Sequence, residues 1–387
     1  MEKYFSKYFN TKNFSPFVIL YIFINAIFVF KYASRQNHFD VYVVTLLYTS
    51  FLIGLITLLI KTNFDKIIYK NSFYILSVIF FIFTIWLNIK VDGNDLIVDR
   101  WSAMEVGIKS LLDNVYPFSA VDHLNNMTSN LPTLIFLGMP FYSLGDVGYL
   151  QPFSFLIFVF LIHNSFSNNK TRIFGLLLLM SSVSYGWEIY AKSDLMSNFI
   201  ILLLFIVLVQ KRFDSKKKCH LILTAVVSAS LLLTRIIAVI PLSLLLFNFF
   251  LKLAFKKKVV FIISGVLSVL ILFAITFKNY GTIENFKSYN PFELQNNQLP
   301  LIISFATIFL PFLYSFYVKN LESLIKLSVV FLSIPIFLSF AFRMYENGVY
   351  NSILNSEYDI SYFNILTPFL IFHLTIRFNQ SVKTISV

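Results

Sequence analysis

Ionisable side chains are scarce in this chain, so the places where they gather are the first guide to chemistry. The richest stretch begins at Lys90 and reads KVDGNDLIVDRWSAMEVGIKSLLDNVYPFSAVDHLNNMTSNLP. It carries Asp92, Asp95, Asp99, Arg100 and His123 in one segment. Further on, Glu188, Lys192 and Asp194 share a short stretch, and Arg235 and Arg343 stand beside apolar runs. Carboxylates can accept protons, and guanidinium groups can hold anions bidentately. Ionisable residues at the edge of long apolar segments are functional candidates for that reason. Other chemistries lack the residues they need. There is no Gly-rich phosphate loop, no Cys/His metal spacing, no Gly-x-Ser-x-Gly and no short repeat. ATP-driven transport and zinc hydrolysis therefore have no sequence support. Cys219 is the single cysteine, so it has no partner in the chain, and it lies among lysines.

The elements that must position these residues are apolar helices. Of 387 residues, 57% are hydrophobic and 13% charged, with 47 Phe and a mean hydropathy of +0.75. A typical globular chain has roughly a quarter charged residues, so this one cannot cover a water-facing surface. That excludes a soluble enzyme, a disordered protein and a disulfide scaffold. The formal charge of +12 lies in short loops between apolar runs, which is the pattern of membrane topology rather than of nucleic-acid binding. About 20 helical residues cross a hydrocarbon core. Spans are expected near 16–34, 41–60, 72–89, 149–163, 173–187, 194–209, 220–235, 236–250, 259–277, 300–317, 324–342 and 362–377. The fold expected is an all-α integral membrane protein of twelve spans, a single polytopic domain over 1–387 with an outer loop at 90–148. Lys3, Lys7 and Lys12 precede the first span, and no small-residue cleavage site follows, so it reads as a retained anchor.

Two segments need argument. Residues 221–250 form an almost unbroken apolar run with lysine clusters at both ends, Lys216 to Lys218 and Lys252 to Lys258. One helix of that length would be about 45 Å long, too long for a core of roughly 30 Å. A hairpin of two short helices returns both clusters to one side and puts Arg235 at the far tip. Residues 132–145 are apolar but short, and Pro132, Gly138, Pro140 and Gly145 interrupt them, so they read as non-spanning. On this topology the cytoplasmic segments hold 21 of the 31 Lys and Arg and only four acids, Glu2, Asp65, Asp214 and Glu322. Both termini are then cytoplasmic.

Within the long loop, Arg100 to Asp113 forms an amphipathic pattern. Trp101, Met104, Ile108, Leu111 and Leu112 fall at i, i+3, i+4 spacing, which suits a helix lying along a membrane surface. Asp99 stands where a carboxylate could cap that helix. A long outer loop after an early span, with an acidic residue, surface helices and a Tyr-Pro pair, resembles the GT-C superfamily of polytopic membrane glycosyltransferases. The residues that carry the resemblance are Asp99-Arg100-Trp101, Tyr116-Pro117, His123 and the Pro-interrupted 132–140 stretch. Trp187-Glu188, Lys192-Ser193-Asp194 and Thr234-Arg235 are similar to later loops of bacterial relatives. The chain departs from the simplest layout in three ways. Its loop follows a third span, no Asp-x-Asp adjoins Asp99, and no large soluble domain follows the spans.

The resemblance implies transfer of a sugar from a polyprenyl-phosphate donor to a glycan or lipid-linked acceptor hydroxyl, on the outer face of a bacterial inner membrane. It implies Asp99 as the base, with Arg235 and either Arg100 or Arg343 at the departing phosphate. Tyr116, His123, Glu188, Lys192 and Asp194 become substrate-binding candidates. The partners are the donor, the acceptor and the bilayer, with no nucleic acid. No cofactor is implied, and metal dependence stays open. Plainer roles stand beside each of these. Asp99 could cap its helix, Arg100 could be an interfacial anchor, Arg235 could snorkel to the surface, and Glu188, Lys192 and Asp194 could pair among themselves. His123 could be a structural loop residue. Two rival functions are a flippase or transporter for lipid-linked saccharides, and an O-antigen-type polymerase.

Overall fold

A computed structural model describes residues 15–36, 38–62, 66–214, 216–295 and 299–385. The lysine-bearing segment with Lys3, Lys7 and Lys12, and the loop acid Asp65, lie outside the described residues. In a hydrocarbon environment each backbone N–H and C=O must be satisfied within its own segment, so long apolar runs become helices. The regular elements of the described residues are all helices, with one isolated bridge between Val121 and Met127 in place of any strand. In chain order the helices are α1 Ser15–Ala33, α2 Val41–Lys61, α3 Lys66–Lys90, α4 Arg100–Leu112, α5 Pro132–Ser143 and α6 Leu150–Ser165. There follow α7 Asn169–Met180, α8 Val183–Tyr190, α9 Leu195–Arg212, α10 Lys218–Leu232, α11 Val239–Leu251 and α12 Phe255–Thr276. The last five are α13 Ile283–Ser288, α14 Pro291–Gln295, α15 Leu301–Tyr314, α16 Leu321–Ile353 and α17 Thr367–Ile385.

Among the described residues, seven helices are long and apolar enough to cross a membrane, in segments Pro16–Ala33, Val41–Lys61, Ile67–Lys90, Val147–Ser165, Leu195–Arg212, Phe255–Thr276 and Leu321–Ile353. The count is eight if α7 and α8, bent by 57° at their junction, act as one span. Three shorter apolar helices cover Lys218–Leu232, Ile236–Leu251 and Leu301–Tyr317. This is the pattern of a multi-pass membrane protein.

Short polar residues start several helices. Asp40 accepts from the amides of Tyr42 and Val43, and Asn168 from those of Lys170 and Thr171. Asn320 and Ser323 close a reciprocal capping box on α16. Lys31, Lys61 and Lys90 sit in the last turns of α1, α2 and α3, where the helix dipole favours a cation. Helix α17 fills the centre: Phe369, Leu370, Ile371, Phe372 and Leu374 are inaccessible, and it packs on α7, α9 and α16. By contrast, α2, α3 and α12 expose long apolar faces, among them Leu46, Ile82, Trp86 and Leu270. In a membrane protein such faces meet lipid.

Two parts differ from expectation. The apolar face of α4 does not lie free for a membrane surface. Trp101, Met104 and Ile108 are buried against Leu134, Ile135 and Phe141 of α5, with Phe118 and Val147 completing a second, smaller core. Leu112, read into the same face, is exposed. The residues 343–361, expected as a loop, begin as helix, because α16 continues to Ile353 with its one non-helical residue at Gly348 (φ 78°). The segment 132–145 forms the 12-residue helix α5.

Candidate functional site

The connections at one end of the bundle meet around Asp99. Asp99 occupies the N-cap position of α4, and its carbonyl accepts from the Ala103 amide at 2.7 Å. Its carboxylate makes no capping hydrogen bond. The capping role left open by the sequence is therefore not the one the side chain plays. It accepts instead from Asn126 Nδ2 at 3.3 Å and has no salt-bridge partner among the described residues. Asn126 is presented by a small turn in which Asp122 Oδ1 accepts from the amides of Leu124 and Asn126.

Two cavities share Asp99 as a wall. The smaller, about 290 Å³, is lined by Asp99, Arg100, Asn130 and Arg235 at its polar end and by Ile236, Ile240, Ile308 and Ile336 elsewhere. The larger, about 960 Å³, lies between α1, α3 and α8, with Lys31, Arg35, Trp187 and Asp99 in its wall. Asp359 lines both.

Both arginines of the smaller cavity are engaged by acids. Arg100 Nη2 donates to Asp359 Oδ2 at 2.6 Å and to Ser361 Oγ at 3.2 Å, and its guanidinium lies 5.5 Å from the Tyr362 ring centre. Burial alone would raise the Asp359 carboxyl, but Arg100 and the Ser361 donors outweigh it and hold the group below the usual carboxylate value. Arg235 donates through Nε and Nη2 to both oxygens of Asp194 at 2.7–3.3 Å. Its Nη1 has no partner among the described residues. Arg235 is extended and buried at the break between α10 and α11, so it does not snorkel to a surface.

A late segment closes this cavity over the early loop. Gln295 Nε2 donates to the Ser129 carbonyl at 2.7 Å, while its Oε1 accepts from the Ile236 amide at 3.2 Å. Asn130 is buried, and its Nδ2, a donor, has no partner among the described residues.

The other predicted residues scatter. Glu188 lines neither cavity. It is inaccessible and braces the interior, accepting from the Ser197 amide at 3.0 Å and from Asn364 Nδ2 at 3.1 Å. Lys192, with a left-handed backbone (φ 49°), pairs with Asp146 and lies 5.4 Å from the Trp101 ring centre. Asp146 also accepts from Trp101 Nε1 at 2.8 Å, so Lys192 locks α4 in place. Asp194 reaches the site only through Arg235. His123 ties the loop together, with Nε2 at 2.7 Å from the Leu96 carbonyl and Nδ1 at 2.5 Å from Ser102 Oγ. Tyr116 is buried beside Phe118 and Phe277, and burial pushes its phenol up to about 12. Arg343 is a surface residue 3.4 Å from Glu346 on α16 and lines neither cavity.

Residues that sequence reasoning missed are Asp359, Asn126, Asn130, Gln295, Lys31 and Arg35. The one available signal was for Asp359, which lies with Glu346 and Glu357 in a segment placed on the same side as Asp99. Among the described residues, no group of three His, Cys, Asp or Glu could hold a metal ion. No family model matches the chain, and neither the curated proteins nor the solved structures include a match.

Proposed function

We propose that this protein is a membrane glycosyltransferase that moves a sugar from a polyprenyl-phosphate donor to an acceptor hydroxyl at the outer face of the membrane. In this reading the seven long helices, α7 with α8 as one broken span, the three shorter apolar helices and α17 make up twelve crossings, with both termini cytoplasmic in a bacterial inner membrane. The observation that carries the reading is Asp99, whose carboxylate neither caps α4 nor joins a salt bridge among the described residues and lines both cavities. A base for group transfer needs a free carboxylate where donor and acceptor meet.

The donor fits the smaller cavity. Its polar end offers Arg235 Nη1 and the Asn130 amide to a phosphate, and its isoleucines suit a prenyl tail. The acceptor enters the larger cavity. Asp99 takes the hydroxyl proton as the new C–O bond forms at the anomeric carbon. The bond from that carbon to the phosphate oxygen breaks, and the electron pair leaves with polyprenyl phosphate. Held cations stabilise the charge that develops on the leaving group. A transport pathway through the centre has less support, because α17 fills that space with Phe369 and Phe372.

The test is Asp99→Asn in purified, lipid-reconstituted protein. Transfer is expected to fall by about two to four orders of magnitude, with donor binding and thermal stability near wild type. Wild-type transfer in this variant would take the role of base from Asp99, and no transfer by the wild-type protein would end the proposal.

A further inference from the structure

Helix α1 ends at the larger cavity with two cations one turn apart, Lys31 and Arg35. Lys31 is the unusual one. It is only 3% exposed, it lines the cavity, and its ammonium makes no hydrogen bond or salt bridge among the described residues. An ammonium so withdrawn from water is costly unless an anion meets it. The charged groups around it are Arg35, Asp359, Asp95 and Asp99. Asp359 is the acid whose field acts on Lys31, but its carboxylate is already bound by Arg100 and Ser361. Asp95 is exposed, and Asp99 accepts from Asn126. The carbonyls of the last α1 turn offset part of the charge, an effect worth about 0.3–1 kcal/mol at a helix end. That leaves the ammonium without a full counter-charge.

The rest of the cavity is built for something attached to that anion. Tyr32 stacks on Trp187 at 6.0 Å, and Arg35 lies over the Tyr32 ring at 5.0 Å while donating to Ser356 Oγ at 3.1 Å. Such ring faces suit sugar rings. On another wall, Phe83 is partly exposed and stacks on Trp86 along the outward apolar face of α3. The cavity is therefore continuous with a surface that suits an acyl or prenyl chain. At the α8 wall, a side chain added at Gly186 would meet nothing within 4 Å, so the space there is open.

We infer that Lys31 and Arg35 form an anion site that holds the phosphate of a phosphate-linked acceptor lipid, so that its sugar lies along Tyr32 and Trp187 toward Asp99. This inference rests on the glycosyltransferase reading for the word acceptor, but the anion site itself does not. It specifies the acceptor as a phosphorylated lipid rather than a neutral glycan or a polypeptide.

The experiment uses the full chain in phosphatidylcholine nanodiscs, with farnesyl diphosphate and inorganic diphosphate as calorimetric probes. Lys31→Met is expected to weaken farnesyl diphosphate binding about ten- to a hundred-fold, the loss of one charge-assisted bond, and Lys31→Arg to restore most of it. Gly186→Leu, which puts a side chain into the open part of the cavity and leaves every charge in place, is expected to cause a comparable loss. Wild-type affinity in a folded Lys31→Met or Gly186→Leu protein would overturn the inference. Inorganic diphosphate binding as tightly as farnesyl diphosphate would overturn its lipid part, and weaker binding supports it. If Lys31→Met binds normally while Asp99→Asn is inactive, the anion site alone fails. If the wild-type protein transfers no sugar, the enzymatic reading fails while the Lys31 result stands.

Discussion

Arg235 and Asp194 form a pair whose two halves cannot be tested alone. Both side chains are almost fully buried, at 8% and 1% exposure. Removing one partner from such a pair leaves a stranded charge, at a cost of about 3–5 kcal/mol. Arg235→Ala is therefore expected to lower unfolding stability in detergent by about that amount, and Arg235→Met with Asp194→Leu to recover most of it, since apolar replacement of a buried pair is often neutral. Donor-lipid affinity belongs on the double variant. If Arg235 Nη1 holds the phosphate, affinity there falls about ten- to a hundred-fold, and unchanged affinity would move the phosphate to Arg100. The Arg100–Asp359 pair makes a different prediction, in pH. The folded-state value of Asp359 lies below its unfolded one, so its contribution is complete above the unfolded value. It fades as pH falls through the folded value. Thermal melts between pH 7 and 5 should then show no loss from this pair, with the loss beginning below about pH 4. Asp359→Asn should flatten that acid limb, and a limb of unchanged slope in the variant would assign it to other groups.

At the scale of elements, the unit that presents Asp99 is α4 on α5, held by one node. Trp101 is fixed at its Nε1 by Asp146, and Asp146 in turn by Lys192 and the Gly148 amide. Gly93 lies against the Trp101 ring, where an added Cβ would stand 2.3 Å from it. The ring is rigid and pinned, so Gly93→Ala must displace it. A loss of about 1–3 kcal/mol, as for overpacking a core, is expected in unfolding measurements, with reduced transfer as the Asp99 turn shifts. An unchanged melting temperature would show that the node is slack. How legible this unit was in the sequence follows from range. The helix over Arg100 to Asp113 could be read because i, i+3, i+4 periodicity is local. What covers its apolar face could not, because a face suited to a bilayer and a face suited to α5 have the same composition. The Arg100–Asp359 contact joins residues 259 positions apart and leaves no local trace. The burial of Lys31 was equally hidden. A lysine at the end of an apolar run reads as a flank anchor until the neighbouring helices are in place.

For the whole molecule, the legible part was the grouping of the connecting segments. The segments 90–148, 188–193, the Arg235 tip, 278–299 and 343–361 were assigned to one face by charge and span length. The side chains that meet around the two cavities come from all of these, the 188–193 loop contributing Tyr190 and Ala191, with Trp187 and Asp194 beside it. Span number was less legible, because α10, α11 and α15 are shorter than a full crossing and α7 and α8 bend at their junction. Those are the helices whose ends carry the site, and a short or broken helix is what lets a buried arginine such as Arg235 sit at its tip. The assignment of sides has a direct test. Reporter fusions after Lys218 and Lys258 should report cytoplasm, because the lysine clusters there favour that side. Fusions near Asn125 and Asn290 should report the outside, since the first lies in the Asp99 loop and the second on the segment that Gln295 ties to it. The decisive fusion is near Asn169. Helix α5 has 12 residues, about 18 Å at 1.5 Å per residue, against a core of roughly 30 Å. If it does not cross, Asn169 is cytoplasmic. If Asn169 reports outside, α5 crosses, every later element is inverted, and the Lys218 and Lys258 fusions must also report outside. An inverted result at Asn169 alone would contradict the helix count between them, because α7 with α8, and then α9, return the chain to the side from which it started.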